Sequence, residues 1–187
     1  MLVGAMVVVM WFVEILDALG ADSLDSYGIR PRAVDGLDGI LFSPFLHGSW
    51  GHLIGNTVPF VILGGLIALG GLVRVAAVTA TVAVVGGAGV WLFAGADSIH
   101  IGASGLVFGF AGYLVARGAF TRSLLHLAVG IAVAAVWGTT LVSGLVPQDG
   151  ISWQGHLFGG IGGVVAARLL APTRAEKPSA AKAAYAA

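Results

Sequence analysis

A serine and a histidine on two separate stretches of this chain could together hydrolyse an acyl bond. Ser104 lies in the tetrapeptide Gly102-Ala103-Ser104-Gly105, just before an apolar run that is typical of a buried helix. Small neighbours at the start of a helix leave a serine hydroxyl uncovered and its backbone open to close approach. Because serine is a poor nucleophile until a base takes its proton, the chemistry also needs a base. His156, in a later glycine-rich stretch, is the candidate.

His52 and Asn56 form a second polar group on an earlier segment. They are four residues apart, which places both side chains on one face of a helix. Acyl transfer requires hydrogen-bond donors aimed at the oxyanion that develops on the attacked carbonyl. The backbone N–H groups of Ala103 and Ser104, at a helix N-terminus, would add to such a set. The spacing therefore predicts an oxyanion site beside Ser104.

Two glycines indicate how the serine and the histidine could meet. Gly159 and Gly163 are four residues apart, a spacing that lets two membrane helices approach closely. Such a face could press against the glycine-rich segment around Ser104 and bring His156 within hydrogen-bond reach. The two apolar segments that carry these residues contain no Asp or Glu to orient the imidazole, so the pair would be a dyad. Phe108, one turn after Ser104, could stack on the ring instead.

Each of these residues also has a simpler interpretation. An intramembrane serine most often hydrogen-bonds to backbone, and a His/Asn pair could be a proton relay or interhelical contact. His47, His52 and His156 could in principle supply the three ligands of a zinc site. That hypothesis leaves Asn56 and the Gly-Ala-Ser-Gly turn unexplained. We assign no role to His100, expected in a loop, or to His126.

The composition is that of a protein that crosses a membrane several times. Hydrophobic residues make up 58% of the 187 positions and charged residues only 10%, against about 25% in soluble domains. The mean hydropathy is +0.98. A net charge of zero without a basic stripe argues against nucleic acid as a partner. The lack of cysteine excludes disulfides and thiolate catalysis, and no metal or cofactor is expected.

The hydropathy pattern predicts an all-α bundle of six membrane-spanning helices in one domain, residues 1–171. The predicted spans are 1–19, 53–72, 75–94, 104–116, 124–145 and 151–171. The fourth is short for a bilayer crossing of ~20 residues, which other helices around it would tolerate. Glu14 and Asp17 are expected to face water at the outer end of the first span. Residues 172–187 are predicted to be a disordered cytoplasmic tail.

The charged residues orient the predicted spans. Seven basic residues fall on the side of the two termini: Arg74, Arg117, Arg122, Arg168, Arg174, Lys177 and Lys182. The opposite side holds Arg30, Arg32, Asp22, Asp25, Asp35, Asp38, Asp97 and Asp149. The positive-inside rule therefore places both termini in the cytoplasm. His52, Ser104 and His156 then all lie near the outer ends of their helices, at one depth.

In type, order and position these motifs resemble those of the rhomboid family of intramembrane serine proteases. The pattern, over about residues 1–170, is His47-x4-His52-x3-Asn56, Gly102-Ala103-Ser104-Gly105 and Gly155-His156-x2-Gly159-x3-Gly163. The resemblance implies a six-helix bundle with the serine on a short central fourth helix, inside a water-filled cavity. The minimal bacterial form of the family is the best match, which implies the bacterial plasma membrane and a site open to the extracytoplasmic side. The implied substrates are single-span membrane proteins, cut in or near the span.

The resemblance also assigns roles to residues. Ser104 would be the nucleophile, and His156 the general base and later the acid for the leaving amine. His52 and Asn56 would stabilise the oxyanion, together with backbone N–H groups of Ser104 and Ala103. Phe108 falls where the family carries an aromatic residue against the catalytic histidine. The full set of supporting positions is Phe108, Gly102, Gly105, Gly159, Gly163 and His47.

One departure concerns the first external loop. Many rhomboids carry Trp-Arg there, whereas this chain has Tyr27-Gly28-Ile29-Arg30-Pro31-Arg32. Substrate access is expected between spans two and five, with Phe60 and Trp137 among the bulky residues. The loop from Ser143 to Trp153 is expected to act as a mobile cap over the site.

Two other functions fit parts of the sequence. A non-catalytic relative would bind membrane proteins, although such a protein is expected to lack the serine or the histidine. A small transporter or proton channel could use His52 and His156 as a relay. That function would be indifferent to the loss of Ser104, and no inverted repeat is visible to support it.

Overall fold

Six long helices make up most of the protein in the computed structural model, which describes residues 2–20 and 24–172. They are α1 (Leu2–Leu19), α2 (Trp50–Ala68), α3 (Leu72–Phe93), α4 (Ser104–Thr121), α5 (Leu124–Ser143) and α6 (Trp153–Leu169). The predicted all-α, six-helix membrane bundle is confirmed. The predicted disordered tail lies outside the described residues, apart from Pro172.

Helix α4 is the centre of the bundle and contacts α2, α3, α5 and α6. Its residues Phe110, Ala111 and Tyr113 are completely buried. It continues to Thr121, five residues beyond the predicted end at residue 116. The charged residue Arg117 therefore lies within the helix. The Arg117 guanidinium lies over the Tyr113 ring, 5.7 Å from its centroid, so the charge has a partner within the helix.

Four helices are long and apolar enough to cross a membrane unaided, namely α1, α2, α3 and α5. In the described part of the chain, α4 and α6 do not meet that criterion. They are the helices that carry Ser104 and His156. Both helices pack against other helices of the bundle. Because neighbouring helices shield them from lipid, they can be less apolar than a helix that crosses the membrane alone.

Helix α5 is the most exposed of the long helices. Only Gly130 and Val133 are buried along it, and its extensive contacts are with α4. The predicted gate between spans two and five therefore has a loosely held helix on one side. Phe60 does not belong to it, because its ring is completely buried and packs on Phe110 at 5.3 Å. Trp137 is half-buried on α5.

The loop between α1 and α2 is fixed to the C-terminal end of α3. Arg32 donates to the Ala94 carbonyl at 2.7 Å, and Trp91 Nε1 donates to the Ala33 carbonyl at 2.9 Å. Short helical turns fill the loop at Leu24–Tyr27, Val34–Gly36, Gly39–Phe42 and Ser43–Phe45. Residues 24–49 of the loop thus have a defined conformation without the Trp-Arg pair.

The expectation that Glu14 and Asp17 face water is wrong. Their exposed fractions are 5% and 6%. The Asp17 carboxylate accepts the Leu24 N–H at 2.7 Å and so fixes the end of α1 to the loop that follows. A short polar side chain that satisfies backbone can be buried at low cost.

Candidate active site

A glycine with an unusual backbone conformation places Ser104 at the start of α4. Gly102 has φ +109°, a region that favours glycine, and its N–H donates to the Ser43 carbonyl at 2.8 Å. A Cβ at this position would lie 2.6 Å from His52 Nε2. Gly102 therefore supplies both the turn and the space that His52 occupies.

Ser104 and His156 are in hydrogen-bond contact. Ser104 Oγ lies 2.9 Å from His156 Nε2, and His156 Nδ1 lies 2.7 Å from the Gly144 carbonyl. Because a carbonyl can only accept, Nδ1 carries the proton and Nε2 is left to accept from the serine hydroxyl. This is the tautomer that a general base requires.

Two groups hold the imidazole of His156 in place. The Phe108 ring stacks on it with the centroids 4.0 Å apart and the planes at 6°, and this is the contact that the helical spacing predicted. The Gly144 carbonyl takes the position that a carboxylate has in a Ser-His-Asp triad. A Cβ on Gly144 would lie 2.5 Å from Phe108 Cζ and 2.9 Å from His156 Nδ1, so this residue must be small.

His52 and Asn56 lie on the face of α2 that points to Gly102. His52 Nε2 would be 2.6 Å, and Asn56 Nδ2 3.5 Å, from a Cβ placed there. Asn56 is 8% exposed, and its Nδ2 has no hydrogen-bond partner among the described residues. A buried amide donor without a partner costs about 1–3 kcal/mol. Such a donor is available for charge that develops only during a reaction.

The structure gives Ala103 a different partner from the predicted one. Its N–H donates to His47 Nε2 at 3.3 Å, so this N–H is not free for an oxyanion. Burial lowers the pKa of His47 from 6.5 to about 4, with a smaller contribution from His52, and keeps its ring neutral as an acceptor. The N–H of Ser104, in the first turn of α4, has no acceptor within the helix.

His100, to which the sequence assigned no role, connects three parts of the site. Its backbone pairs with Ile29 of the first loop. Its Nε2 lies 2.8 Å from Ser98 Oγ, and its Nδ1 lies 2.6 Å from Ser152 Oγ. Because Ser98 donates to the Gly95 carbonyl, it accepts from Nε2–H, and Ser152 donates to Nδ1. Burial lowers the pKa of His100, consistent with a neutral ring.

Ser152 links His100 to the helix that carries His156, because it caps α6. Its Oγ also accepts the Gly155 N–H at 3.1 Å. His100 therefore joins the loop that precedes Ser104 to the first turn of the helix that carries His156. Two residues on different helices keep their spacing only if such connections are rigid.

Loss of this connection is expected to slow catalysis without unfolding the protein. In a peptide-cleavage assay we expect His100→Ala to lower kcat about 10- to 100-fold and to leave KM little changed, because small displacements of reacting groups have effects of this size. Ser152→Ala should act in the same direction. Ser143→Ala is the matched control, since that hydroxyl donates only to Thr140 of its own helix. Wild-type kcat in both His100 and Ser152 variants would contradict the positioning role.

A cavity of about 480 Å³ opens beside His52, at the same end of the bundle as Ser104. Ser49, Gly150 and Ser152 are among the residues that line it. Among the described residues no three His, Asp or Glu side chains lie close enough to hold a metal ion, so His47, His52 and His156 do not form a zinc site there.

The fold is that of an integral membrane protein, and the sequence belongs to a family of intramembrane proteases. The rhomboid domain model matches residues 36–173, and the chain belongs to the rhomboid family. It is similar to the uncharacterized protein Rv1337 of Mycobacterium tuberculosis, 44% identical over 178 residues, which are 90% of this chain and 74% of that protein. The uncharacterized protein ML1171 of Mycobacterium leprae is 44% identical over 175 residues, 88% of this chain and 69% of that protein.

Proposed function

We propose that this protein is an intramembrane serine endopeptidase. Its substrates are single-span membrane proteins, cut in or near the membrane segment. The observation that carries the proposal is the 2.9 Å contact between Ser104 Oγ and His156 Nε2, with Nδ1 held by the Gly144 carbonyl. The catalytic unit is the domain formed by residues 1–171.

The dyad supports a two-step hydrolysis. Ser104 Oγ attacks the scissile carbonyl carbon while its proton passes to His156 Nε2. The tetrahedral intermediate then expels the amine, which takes that proton, and an ester remains on Ser104. A water molecule attacks the ester, gives its proton to His156, and the carboxylic acid leaves. The proton returns to Ser104 at the end of the cycle.

The negative charge of the tetrahedral intermediate falls near Gly102. Asn56 Nδ2, His52 and the Ser104 N–H are the donors that stabilise it in this proposal. Ala103 is left out because His47 accepts its N–H. The donors are held in place before the reaction begins, which is what makes such sites effective.

Removal of the free amide donor should slow the chemical step. Asn56→Ala is expected to lower kcat about 10²–10³-fold, the usual effect of losing one oxyanion donor, with little change in KM. The measurement is steady-state cleavage of a membrane-embedded reporter. Thr79→Ala is the control, because this hydroxyl bonds only to Val75 in its own helix. A loss below tenfold would show that His52 and the backbone carry the stabilisation instead.

The charges of the described helices suggest the orientation. Arg74, Arg117 and Arg168 lie at the end of the bundle opposite Ser104. By the positive-inside rule that end faces the cytoplasm, with both termini, and the site opens to the other side of a bacterial plasma membrane. Substrate enters laterally between α2 and α5, and the segment between α5 and α6 covers the site.

The test is covalent labelling together with cleavage. An alkyl fluorophosphonate reacts with an activated serine, and we expect it to label wild-type protein at Ser104 and to inhibit cleavage of a single-span reporter in liposomes. A protein that neither reacts nor cleaves would favour the non-catalytic membrane-protein binder. Proton flux that persists in Ser104→Ala would favour the histidine relay.

A further inference from the structure

A second cavity lies at the end of the bundle opposite Ser104, between α2, α4 and α5. Its volume is about 280 Å³. Most of its wall is apolar, from Leu66, Leu69, Leu114, Leu125 and Val129. Arg117 and His126 are also on the wall. The combination of an apolar groove with basic groups at one end is typical of a site for an anionic amphiphile.

Two arginines, Arg117 on the cavity wall and Arg74 beside it, share Tyr113 as a partner. Arg74 Nη1 donates to the Tyr113 hydroxyl at 3.1 Å, and the Arg117 guanidinium lies over the face of the same ring. The Arg74 side chain rests on Gly70, which lines the cavity. Tyr113 is completely buried, so it holds both guanidinium groups against the bundle.

The protein satisfies the two guanidinium groups only in part. The Nε atom of each is buried and has no hydrogen-bond partner in the described part of the chain. Among the described residues, no carboxylate lies within ion-pair distance of either arginine. Two cations held close together without an anion are unfavourable in a medium of low dielectric constant. An anion supplied from outside the chain would relieve both deficits.

We propose that this cavity binds the phosphate group of an anionic phospholipid, with Arg74 and Arg117 as its ligands. Guanidinium groups match phosphate oxygens in charge and in their paired N–H geometry. His126, fixed by its Nδ1–H to Thr121 Oγ1 at 2.9 Å, borders the same site. An acyl chain would lie along α5, where Leu125 is 70% exposed. The apolar wall is the feature that favours a lipid over free phosphate.

Lipid-dependent stability tests this site without reference to proteolysis. The full chain, purified in a neutral detergent, is titrated with phosphatidylglycerol, phosphatidylcholine or inorganic phosphate while its Tm and its lipid-bound mass in native mass spectrometry are recorded. We expect only phosphatidylglycerol to raise Tm and to be retained. Arg117→Gln and Arg74→Gln should each weaken retention about fivefold, equivalent to about 1 kcal/mol per basic group.

The matched control is Arg168→Gln, an exposed arginine at the same end of the bundle that does not line the cavity. It should bind phosphatidylglycerol like the wild type, and Arg117→Lys should keep part of the binding. Equal effects of the two lipids would overturn the proposal, as would the full effect from inorganic phosphate alone. A loss in Arg168→Gln as large as that in Arg74→Gln would also overturn it. The result is independent of whether the protein cleaves a peptide bond.

Discussion

Replacement of either member of the dyad is expected to abolish cleavage of a single-span reporter in liposomes. We expect Ser104→Ala and His156→Ala each to lower kcat at least about 10⁴-fold, a range typical of serine proteases. Without Ser104 no acyl-enzyme can form. Without His156 the hydroxyl keeps its proton, because His156 is the base in hydrogen-bond contact with it.

A variant that lacks both side chains tests whether the serine and the histidine act as one unit. Residues that act as one unit have non-additive effects, so the loss in Ser104→Ala/His156→Ala should be no greater than in either single variant. The control is Ser143→Ala, a surface hydroxyl at the end of α5. Tm and helical content measured for every variant separate lost chemistry from lost folding.

Two results would contradict the dyad. Cleavage retained in Ser104→Ala would exclude this serine as the nucleophile and would indicate that a water molecule attacks the peptide bond directly. Losses that multiply in the double variant would mean that the two side chains act separately, despite their 2.9 Å contact.

The parts of the candidate site that could be proposed from sequence are those that depend on residue type. Serine, histidine and asparagine have distinct chemistry, so Ser104, His156 and Asn56 could be identified from their spacing and apolar surroundings. The six helices followed from hydropathy, because a bilayer crossing requires a long apolar run. The stack of Phe108 on His156 followed from helical periodicity.

The parts that sequence missed depend on backbone groups and on partners far along the chain. The carbonyl of Gly144 orients His156, yet every residue has a carbonyl, so nothing in the sequence marks this one. The same holds for the Ala103 N–H, whose acceptor is 56 positions away. His100 was assigned to a loop correctly, but its contact with Ser152 depends on where two loops meet.

Substitution of two glycines in α6 is expected to have the second large effect on activity. Gly159 and Gly163 form the face that packs on α4, and a Cβ on either would overlap a backbone carbonyl, that of Gly105 or Gly109 respectively. A backbone atom cannot move aside as a flexible side chain can. Gly160 lies between them on the same helix, and a Cβ there would meet nothing within 4 Å.

We therefore expect opposite results from the same substitution at neighbouring positions. Gly159→Ala and Gly163→Ala should push α6 away from α4, destabilise the protein by about 1–3 kcal/mol and lower kcat by ~10² or more. Valine at either position should abolish activity. Gly160→Ala should keep wild-type activity, with unchanged or slightly higher stability because alanine favours a helix. Tm and reporter cleavage are the two measurements.

Alanine substitutions at the three positions distinguish two reasons for glycine in α6, close helix packing and backbone flexibility. If glycine were present in α6 only for flexibility, alanine at all three positions would have a similar effect, because each gains the same propensity. If the glycines are present to let α6 approach α4, only Gly159 and Gly163 respond. Full activity in both of those variants would refute the close approach, and with it the means by which α6 brings His156 to Ser104.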